Sequence, residues 1–313
     1  MRTRFAYLIA VITSVAAGSA WAQSAPATSS AAKVPTAAAT APVPAPATAA
    51  KAKCDNPNAL GVERVVQIDT TGGPGFGFEQ FKAYDFLRDH EVVLTFDDGP
   101  WPGNTERVLK ALADQCTKAM FFNIGEHAGW HPELVKKVEA AGHTIGTHTW
   151  SHKDLSKLSE DDAKAEIEKG IAAVSIALGN KPVAPFFRFP ALRNPPEMLK
   201  YVGSRNIAVF STDMDSFDFK MRRPEQVIKS VEAKLEKHGK GIVLMHDFQH
   251  ATSEAIPVIL KWMKDNGFKI VQVVGKTPVE PLPQYKEIVL KEMGGGLDEA
   301  RPMSSVVKTI DSN

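Results

Sequence analysis

The sequence predicts an α/β fold in which parallel strands form a closed or nearly closed barrel. Seven short apolar runs recur along the chain, and segments with helical spacing separate most of them. Strands that alternate with helices are typical of a parallel sheet, and seven such units favour closure over an open sheet. Reactive side chains stand at the ends of several runs, as expected where strand ends share one face of a barrel. An open, doubly wound sheet is the alternative.

Each apolar run is a predicted strand, and signals for helix ends stand between the runs. In chain order the runs read EVVLTF, KAMFFNI, HTIGTHT, APFFRFP, NIAVFSTD, GIVLMHD and FKIVQV. Pro132 and Gly142 mark the first turn and the end of a predicted helix, an asymmetry typical of helices. Ser159 and Asp162 resemble a capping box before a longer helix. Pro257 lies inside the helical pattern before the seventh run and predicts a kink there.

The two ends of the chain differ from its middle. Two arginines, a short apolar stretch and the pattern Ala20-Trp21-Ala22 predict a signal peptide and export to the periplasm or beyond, with a retained anchor as the alternative. The apolar stretch is too short for a comfortable membrane span, and none is expected in the mature chain. The expected segments are a signal peptide (1–22), a disordered Ala-, Pro- and Thr-rich linker (23–53), an N-terminal cap or strap (54–90), a catalytic barrel (91–277) and a weakly structured C-terminal tail (278–313).

Composition and charge narrow the range of partners. Hydrophobic residues make up 43% and charged residues 23% of the chain, as in ordinary globular proteins. The formal net charge is +1 and there is no basic tract, which argues against nucleic acid as a partner. Cys54 and Cys116 are the only cysteines. In an exported protein they predict one disulfide, with two free thiols as the alternative.

Candidate catalytic side chains follow five of the seven runs. They are Asp97 and Asp98 after the first, His148 and His152 after the third, Arg188 near the end of the fourth, Asp213, Asp215 and Asp218 after the fifth, and His246 and Asp247 after the sixth. Because the carboxyl ends of parallel strands meet at one face of a barrel, we expect these groups to share an active site there.

His148 and His152 are spaced for joint binding of a metal ion. Four residues apart, as in HTWSH, two imidazoles lie on one face of a helical turn. A carboxylate from Asp97 or Asp98 would complete a set of two histidines and one acid, which leaves coordination positions open for water and substrate. Non-haem iron oxygenases use the same set, but the second aspartate would then have no role.

The second aspartate predicts hydrolysis. If one carboxylate binds the metal, the other can take a proton from the metal's water, whose pKa the metal lowers from about 16 towards roughly 7. Arg188 would stabilise the ionised form of that free carboxylate. His246 could protonate a leaving group, held cationic by an acid that follows the fifth run. These parts fit hydrolysis of a carbonyl compound.

Five short motifs together resemble the polysaccharide deacetylase family, carbohydrate esterase family four, which includes chitin, peptidoglycan and nodulation-factor deacetylases. In chain order they are TFDDGP, HTWSH, RFP, DSFDF and LMHD. The likeness covers roughly residues 91–274, nearly the whole predicted barrel. It implies a distorted (β/α)7 barrel with the active site at the carboxyl ends of the strands. It also implies one divalent metal ion, zinc or alternatively cobalt.

The resemblance implies a role for each motif residue. Asp97 matches the catalytic base and His246 the catalytic acid. Arg188 matches the arginine that orients the base, and Asp218 matches the acid that tunes the histidine. The backbone N–H of Ala191 matches the oxyanion donor. The implied metal ligands are Asp98, His148 and His152.

Two motifs depart from the family pattern. The third usually reads Arg-Pro-Pro-Tyr-Gly, whereas this chain has Ala191 and Leu192 in place of the tyrosine and glycine. The fourth usually ends in Asp-Trp, and Phe219 replaces the tryptophan. Both changes affect the walls of the substrate groove. Trp101 and Trp150 are further groove candidates that could stack on sugar rings, with ordinary packing as the alternative.

The predicted function is metal-dependent removal of N-acetyl groups from amino sugars of an acetylated glycan, chitin-like or peptidoglycan. An esterase acting on O-acetyl groups, as on xylan, would use the same water and acid and is one alternative. A non-catalytic glycan-binding protein on the same fold is another; the altered third motif leaves it open, whereas the presence of both Asp97 and His246 argues against it. His127, His131 and His250 match no motif and are expected at the surface.

Overall fold

The described residues form an α/β barrel with ten strands and eight helices. The computed structural model describes Cys54 and residues 56–293, so the predicted signal peptide and linker lie outside the described residues. The strands are β1 (Arg64–Ile68), β2 (Gly75–Phe76), β3 (Glu91–Asp97), β4 (Met120–Asn123), β5 (Thr144–Thr147), β6 (Phe186–Phe187), β7 (Ala208–Phe210), β8 (Met214–Asp215), β9 (Gly241–His246) and β10 (Lys269–Gly275). The helices are α1 (Asn104–Asp114), α2 (Gly125–Trp130), α3 (Pro132–Ala140), α4 (Glu160–Ala177), α5 (Pro196–Ser204), α6 (Pro224–His238), α7 (His250–Asp265) and α8 (Pro283–Glu292).

All seven predicted strands form; the fifth run contains β7, and the short strand β8 follows directly after that run. Parallel ladders join β8, β9, β3, β4, β5, β6 and β7 in that order. Residues 208–215 are one stretch of chain, whose first part pairs with β6 and whose second part pairs with β9. This stretch closes the ring, so the sheet is a barrel and not an open doubly wound sheet. The two-residue strands make its wall irregular.

Three further strands attach to this ring. β10 pairs with the amino end of β3 on one side and with β1 on the other, and β2 pairs with β7, all in parallel. The segment predicted as a cap or strap therefore contributes two strands, β1 and β2. The segment predicted as a weakly structured tail contains α8, whose Val289 is buried against Ala172 and Ala173 of α4. Pro283, the first residue of α8, was the signal for this helix in the sequence.

Helix ends follow the local signals in the sequence. The Ser159 hydroxyl accepts a hydrogen bond from the Asp162 N–H at 3.2 Å and caps α4. Pro132 is the first residue of α3, where its missing N–H costs nothing. Gly239, with φ 74°, follows α6 in the left-handed conformation that glycine adopts without a steric penalty. These short-range rules place the helices that surround the barrel.

Alternation along the strands separates the barrel interior from the face under the helices. In β3, Val93 joins the inner apolar cluster, while its neighbours Val92 and Leu94 join the cluster that packs against the helices. In β9, Ile242 is inside and Val243 outside in the same way. Because successive side chains point to opposite faces, each strand delivers every second residue to the interior. This alternation also decides which residues reach the mouth of the barrel, the opening at the carboxyl ends of its strands.

A disulfide joins the start of the described chain to the end of α1. Cys54 and Cys116 are bonded, with their Cα atoms 5.8 Å apart. The loop that this bond closes has a sequence separation of 62 residues. Within the part of the chain that the structure describes, no helix is both long and apolar enough to cross a membrane.

Candidate active site

Strand alternation brings the predicted base, acid and arginine to the inside of the barrel mouth. Asp97 is the last residue of β3, two positions after Thr95 on the inner side. His246 is the last residue of β9 and pairs directly with Asp97 in the parallel ladder. Arg188 follows β6 and is fully buried. The geometry therefore places the candidate base and acid side by side on neighbouring strands.

Asp98 reaches the same cavity because the chain turns sharply after the strand. Its φ is 69°, in the left-handed region that Asp and Asn tolerate better than most residues. Had β3 continued, Asp98 would point away from the interior. The turn instead leaves Asp97 and Asp98 both lining one cavity. Two adjacent carboxylates thus serve one site from different directions.

Asp98, His148 and His152 form a cluster that fits a metal ion. Their ligand atoms all lie within 4.8 Å of one another. Nε2 of His148 and Nε2 of His152 are each 3.4 Å from Oδ1 of Asp98. That buried oxygen accepts no hydrogen bond from any residue that the structure describes. An unpaired buried carboxylate oxygen is costly, so its placement between two imidazoles fits a cation.

The surroundings of His148 prepare its ring as a ligand. Its Nδ1 donates a hydrogen bond to the backbone carbonyl of Arg188 at 2.7 Å, which directs Nε2 towards Asp98. Burial lowers the pKa of His148, although the charges of Asp97 and Asp98 oppose the shift. The imidazole is therefore neutral, which is the form that binds a metal. His152 is more open, with 40% of its side chain exposed.

Arg188 fixes the position of the Asp97 carboxylate. One guanidinium nitrogen, Nη1, donates to Oδ1 of Asp97 at 2.7 Å and to the Thr95 hydroxyl at 2.8 Å. The remaining donors bond the carbonyls of Phe210 and Ser211 at 3.0 and 2.9 Å. A buried arginine with this many partners has one orientation, so it fixes the rotamer of the carboxylate that it contacts.

Removing the arginine should cost stability as well as alignment. We expect Arg188→Met to lower the free energy of unfolding by about 3–5 kcal/mol, because it leaves the buried Asp97 carboxylate without its partner. Urea denaturation measures the change. The matched control is Arg193→Met, since Arg193 is 55% exposed and its ion pair with Asp154 lies at the surface, where pairs contribute about 0–1 kcal/mol. Equal losses in the two variants would contradict this account of Arg188.

His246 is held as a cation by a buried carboxylate. Its Nδ1 donates to Oδ1 of Asp218 at 2.6 Å, and its backbone N–H donates to Oδ2 of Asp218 at 2.8 Å. The Thr252 hydroxyl also donates to Oδ2 at 2.5 Å and holds this acid in position. Burial by itself would lower the pKa of His246, but the bond to Asp218 and the nearby carboxylates raise it to about 9. Its Nε2 is therefore protonated at neutral pH and faces the cavity.

The altered third motif forms a turn at the edge of the cavity. Ala191 and Leu192 both adopt positive φ, 52° and 55°. Leu192 donates its N–H to the Phe189 carbonyl at 3.0 Å, and Arg193 donates to the Pro190 carbonyl at 3.1 Å. Ala191 stands between these two bonds and lines the cavity. The turn is thus kept at left-handed φ without a glycine, which costs L-residues of order 1–2 kcal/mol each.

One cavity of about 310 Å³ is lined by the two aspartates, the two candidate metal-binding histidines, Ala191 and His246. Phe219, predicted for the groove, lies in its wall, with its ring 5.6 Å from the His246 ring. Asp215, the first residue of the DSFDF motif, and Leu244, the first residue of the LMHD motif, also line it, although the family resemblance assigned a role to neither. Alternation along β9 could have identified Leu244, since it lies two residues before His246. Asp215 lies in the cavity wall because the chain follows an irregular path through β8, which no sequence pattern indicated.

The two tryptophans predicted for the groove have different positions. Trp150 is 8% exposed and packs with Ala172, Ala173 and Val289 under α8, outside the residues that line the cavity. It is a packing residue, because the turn after β5 directs it towards α4. Trp101 is 39% exposed and is not among the residues that line the cavity.

His127 has a contact that the sequence did not indicate. Its Nδ1 donates to the backbone carbonyl of Asp98 at 2.6 Å, so it supports the turn that carries a candidate metal ligand. His127 was expected only at the surface, because it belongs to no motif. A histidine in the second position after a helix start at the end of β4 was the one available signal, and it is weak.

Comparison with known proteins agrees with this geometry. A family model described as polysaccharide deacetylase matches residues 87–209. The chain is 31% identical over 207 residues to a peptidoglycan-N-acetylglucosamine deacetylase of Bacillus cereus, a match that covers 63% of this chain and 72% of the relative. It is 32% identical over 193 residues to chitin deacetylase 1 of Saccharomyces cerevisiae, covering 60% of this chain and 62% of that protein.

A solved structure supports the same assignment. A peptidoglycan deacetylase of Bdellovibrio bacteriovorus superposes with a TM-score of 0.62 at 32% sequence identity, over 69% of this chain and 59% of that one. The chain thus spans less than two thirds of the yeast and Bdellovibrio proteins. Fold, motif order and relatives agree on the class of enzyme, a hydrolase of polysaccharide acetyl groups. The chain belongs to the polysaccharide deacetylase family.

Proposed function

We propose that this protein removes N-acetyl groups from the amino sugars of a polysaccharide, peptidoglycan or chitin-like, with the aid of one divalent metal ion. The observation that carries the proposal is a single cavity that holds three kinds of group. These are a two-histidine, one-aspartate cluster, a carboxylate fixed by a buried arginine, and a histidine cation. A glycan-binding protein has no need of the last two.

Asp98, His148 and His152 would hold the metal. When bound, the ion would activate a water molecule and polarise the acetyl carbonyl; zinc fits the donor set, with cobalt as the alternative. His148 enters this role already neutral and oriented by the Arg188 carbonyl. His127 supports the third ligand through the Asp98 backbone.

Asp97 acts as the general base in this proposal. Its Oδ1 is engaged by Arg188, while its Oδ2 lies 3.8 Å from Nε2 of His148, on the side of the ligand cluster. The free oxygen is therefore placed to accept a proton from a nucleophilic water within the cavity. Arg188 acts only by positioning this carboxylate.

His246 acts as the general acid. Its Nε2 lies 3.9 Å from Oδ2 of Asp98, on the cavity side of the ring, and Asp218 keeps it protonated from behind. It can give its proton to the leaving amine of the sugar, which is a poor leaving group while unprotonated. The backbone N–H of Ala191 is the candidate donor to the oxyanion of the tetrahedral intermediate, a contribution typically worth about 3–4 kcal/mol.

Export of the chain and an acetylated envelope glycan as its substrate form part of the proposal. The relatives are named as deacetylases of peptidoglycan and chitin. The N-terminal pattern of a signal peptide and the Cys54–Cys116 disulfide are consistent with an oxidising compartment outside the cytoplasm.

Metal removal tests the proposal directly. We expect chelation to abolish acetate release from chitooligosaccharides and peptidoglycan, and zinc or cobalt to restore it, because Asp98, His148 and His152 would hold the ion that activates the water. Titration with Co²⁺, followed by its visible absorption, should show one site per chain that His148→Ala removes. The control is His250→Ala, since His250 is 60% exposed and pairs with Glu254 on α7.

The outcome separates the competing functions. Metal-restored acetate release from acetylated xylan, with none from chitooligosaccharides or peptidoglycan, would make the protein an O-acetyl esterase. Stoichiometric metal binding without acetate release from any of these glycans would refute the enzymatic proposal. The altered third motif around Ala191 would then mark a glycan-binding protein.

A further inference from the structure

The segment that carries the candidate metal ligand His152 has an unusual backbone conformation. In this segment, residues 149–152, which we call the ligand loop, Thr149 has φ 67° and His152 has φ 56°. Positive φ is uncommon outside glycine and is a true outlier for a β-branched residue such as threonine. Such conformations persist only where the surrounding structure imposes them, and they cluster at functional sites. The contacts around the ligand loop therefore show what keeps it in place.

The position of the His152 ring depends on this backbone more than that of its partner does. The ring of His148 is oriented by the 2.7 Å bond from its Nδ1 to the Arg188 carbonyl. No residue that the structure describes orients Nδ1 of His152 in this way, and 40% of the His152 side chain is exposed. The 3.4 Å distance between Nε2 of His152 and Oδ1 of Asp98 is therefore set by the conformation of the ligand loop.

Glu166 of α4 holds the ligand loop on both sides of His152. Its Oε2 accepts the Ser151 N–H at 2.9 Å, and its Oε1 accepts the Ser151 hydroxyl at 2.9 Å. Its Oε1 also accepts a bond from Nζ of Lys153 at 3.1 Å. The backbone carbonyl of Glu166 accepts the Trp150 N–H at 2.8 Å. One side chain, itself only 7% exposed, thus fixes the residues that flank the ligand.

The packing of two helices brings this contact about. The N–H groups of Gly125 and Glu126, at the start of α2, donate to the carbonyls of Thr149 and Trp150, both at 2.9 Å. On the other side α4 approaches so closely that a Cβ at Gly170 would lie 2.6 Å from the carbonyl carbon and oxygen of Thr149. Only glycine fits there without a shift of the loop. This close approach puts α4 within hydrogen-bond reach of the ligand loop.

We propose that Glu166 is a positioning residue for the metal site: by holding Ser151, it keeps the ligand loop in its strained conformation and His152 directed at Asp98. The inference rests on the proposed metal-dependent function and extends it to a residue outside the five motifs. Glu166 is not among the residues that line the cavity, so it acts only through the loop. Without it the backbone can relax from positive φ, and metal binding must then restore the order that the carboxylate supplies in advance.

The bonds to Ser151 carry this role, and the ion pair with Lys153 does not. The Lys153 side chain is 59% exposed, and ion pairs with such exposed partners contribute little. The two bonds to Ser151 are shielded, since the Glu166 side chain is buried, and they engage both the backbone and the hydroxyl of one residue. A neutral side chain with the same hydrogen-bonding reach should therefore replace Glu166 in this role.

The affinity for Co²⁺, measured by visible absorption in competition with a chelator, tests the proposal. We expect Glu166→Ala to raise the Kd for Co²⁺ about 10–100-fold, the usual effect of removing a group that orients a metal ligand. Glu166→Gln should recover most of the affinity. Its amide oxygen can accept the Ser151 N–H, and its amide nitrogen can donate to the Ser151 hydroxyl.

The matched control is Glu168→Ala on the same helix. Glu168 is fully buried and accepts bonds from the Tyr201 hydroxyl and from Nε of Arg205, both at 2.8 Å, away from the ligand loop. This variant loses a comparable set of buried contacts, so it should be less stable to urea and yet keep the wild-type Kd for Co²⁺. An equal rise of Kd in both variants would reduce the effect to general destabilisation and overturn the proposal.

An unchanged Kd in folded Glu166→Ala would also overturn it. If Glu166→Ala does not fold, Ser151→Ala decides, because it removes only the hydroxyl bond at the partly exposed end of the contact. We expect Ser151→Ala to raise the Kd severalfold, and a wild-type Kd in that variant would refute the role of Glu166.

Because Co²⁺ binding is measured without a glycan, this inference and the proposed function can fail separately. A wild-type protein that binds Co²⁺ but releases no acetate has lost the proposed catalysis, and the affinities of the variants still decide the role of Glu166. Acetate release with equal affinities in wild type and Glu166→Ala would overturn the inference alone. A wild-type protein that binds no Co²⁺ would overturn both.

Discussion

Replacing Asp97 with asparagine is expected to lower kcat for deacetylation by about 10³-fold, the usual contribution of a general base. The amide cannot accept a proton from the nucleophilic water. It keeps an oxygen for the 2.7 Å contact with Arg188, so the arginine stays paired and the fold is retained. Because the ligand atoms of Asp98, His148 and His152 are unchanged, we expect one Co²⁺ site per chain in the variant. Steady-state acetate release and Co²⁺ titration measure the two properties separately.

The matched control is Asp265→Asn. Asp265 is exposed at the end of α7, where it pairs with Lys261, so its loss should leave kcat within a factor of two or so of wild type. Full activity in Asp97→Asn would refute Asp97 as the base. Loss of the Co²⁺ site in that variant would show instead that Asp97 is a ligand, and the division of labour between the two aspartates would be reversed.

The second large effect is expected at His246, the proposed general acid. We expect His246→Gln to lower kcat by about 10²–10⁴-fold, since glutamine fills similar space without a proton to donate. In the wild-type protein the pKa of His246 is raised to about 9, so the acid is present below that pH. Activity should therefore fall as the pH rises through about 9 and the ring loses its proton.

Asp218→Asn tests the physical cause of that pH limit. Burial favours the neutral ring, and only the bond to Asp218 and the surrounding negative charge reverse this preference. Without the Asp218 carboxylate the pKa of His246 falls, so the alkaline limit of activity moves to lower pH. The neutral control is Asp69→Asn, at an exposed ion pair with Lys276 on the strand ends outside the cavity. An alkaline limit that stays in place in Asp218→Asn would contradict the role of Asp218.

Sequence reasoning found the strands and most helices because their signals are local. The seven apolar runs became β3 to β7, β9 and β10, and Pro132 and Ser159 marked helix starts through backbone chemistry within one turn. It did not find α8, since a single buried residue, Val289, carries its packing against α4. A helix with so weak an apolar pattern cannot be distinguished from an unstructured tail until the surface that it packs against is known.

The candidate metal ligands were predictable, because histidines and an aspartate at such spacing indicate one kind of chemistry. The order of the motifs and the four-residue spacing of His148 and His152 pointed to the cluster that the structure brings together. Groove residues were less predictable. Trp150 is adjacent to the ligands in sequence but is buried beneath α8, outside the residues that line the cavity.

The sequence by itself determined the class of chemistry and the strand ends that carry it, because alternation and motif spacing are properties of a short stretch of chain. Only the tertiary structure decided how the two neighbouring aspartates are oriented. The positive φ of Asp98 turns it to the histidines, while Arg188, 91 residues further along, engages Asp97 alone. It also decided the charge of His246, since burial and the Asp218 carboxylate act on that ring in opposite directions. Distances between residues remote in the chain set both outcomes, and no local pattern contains them.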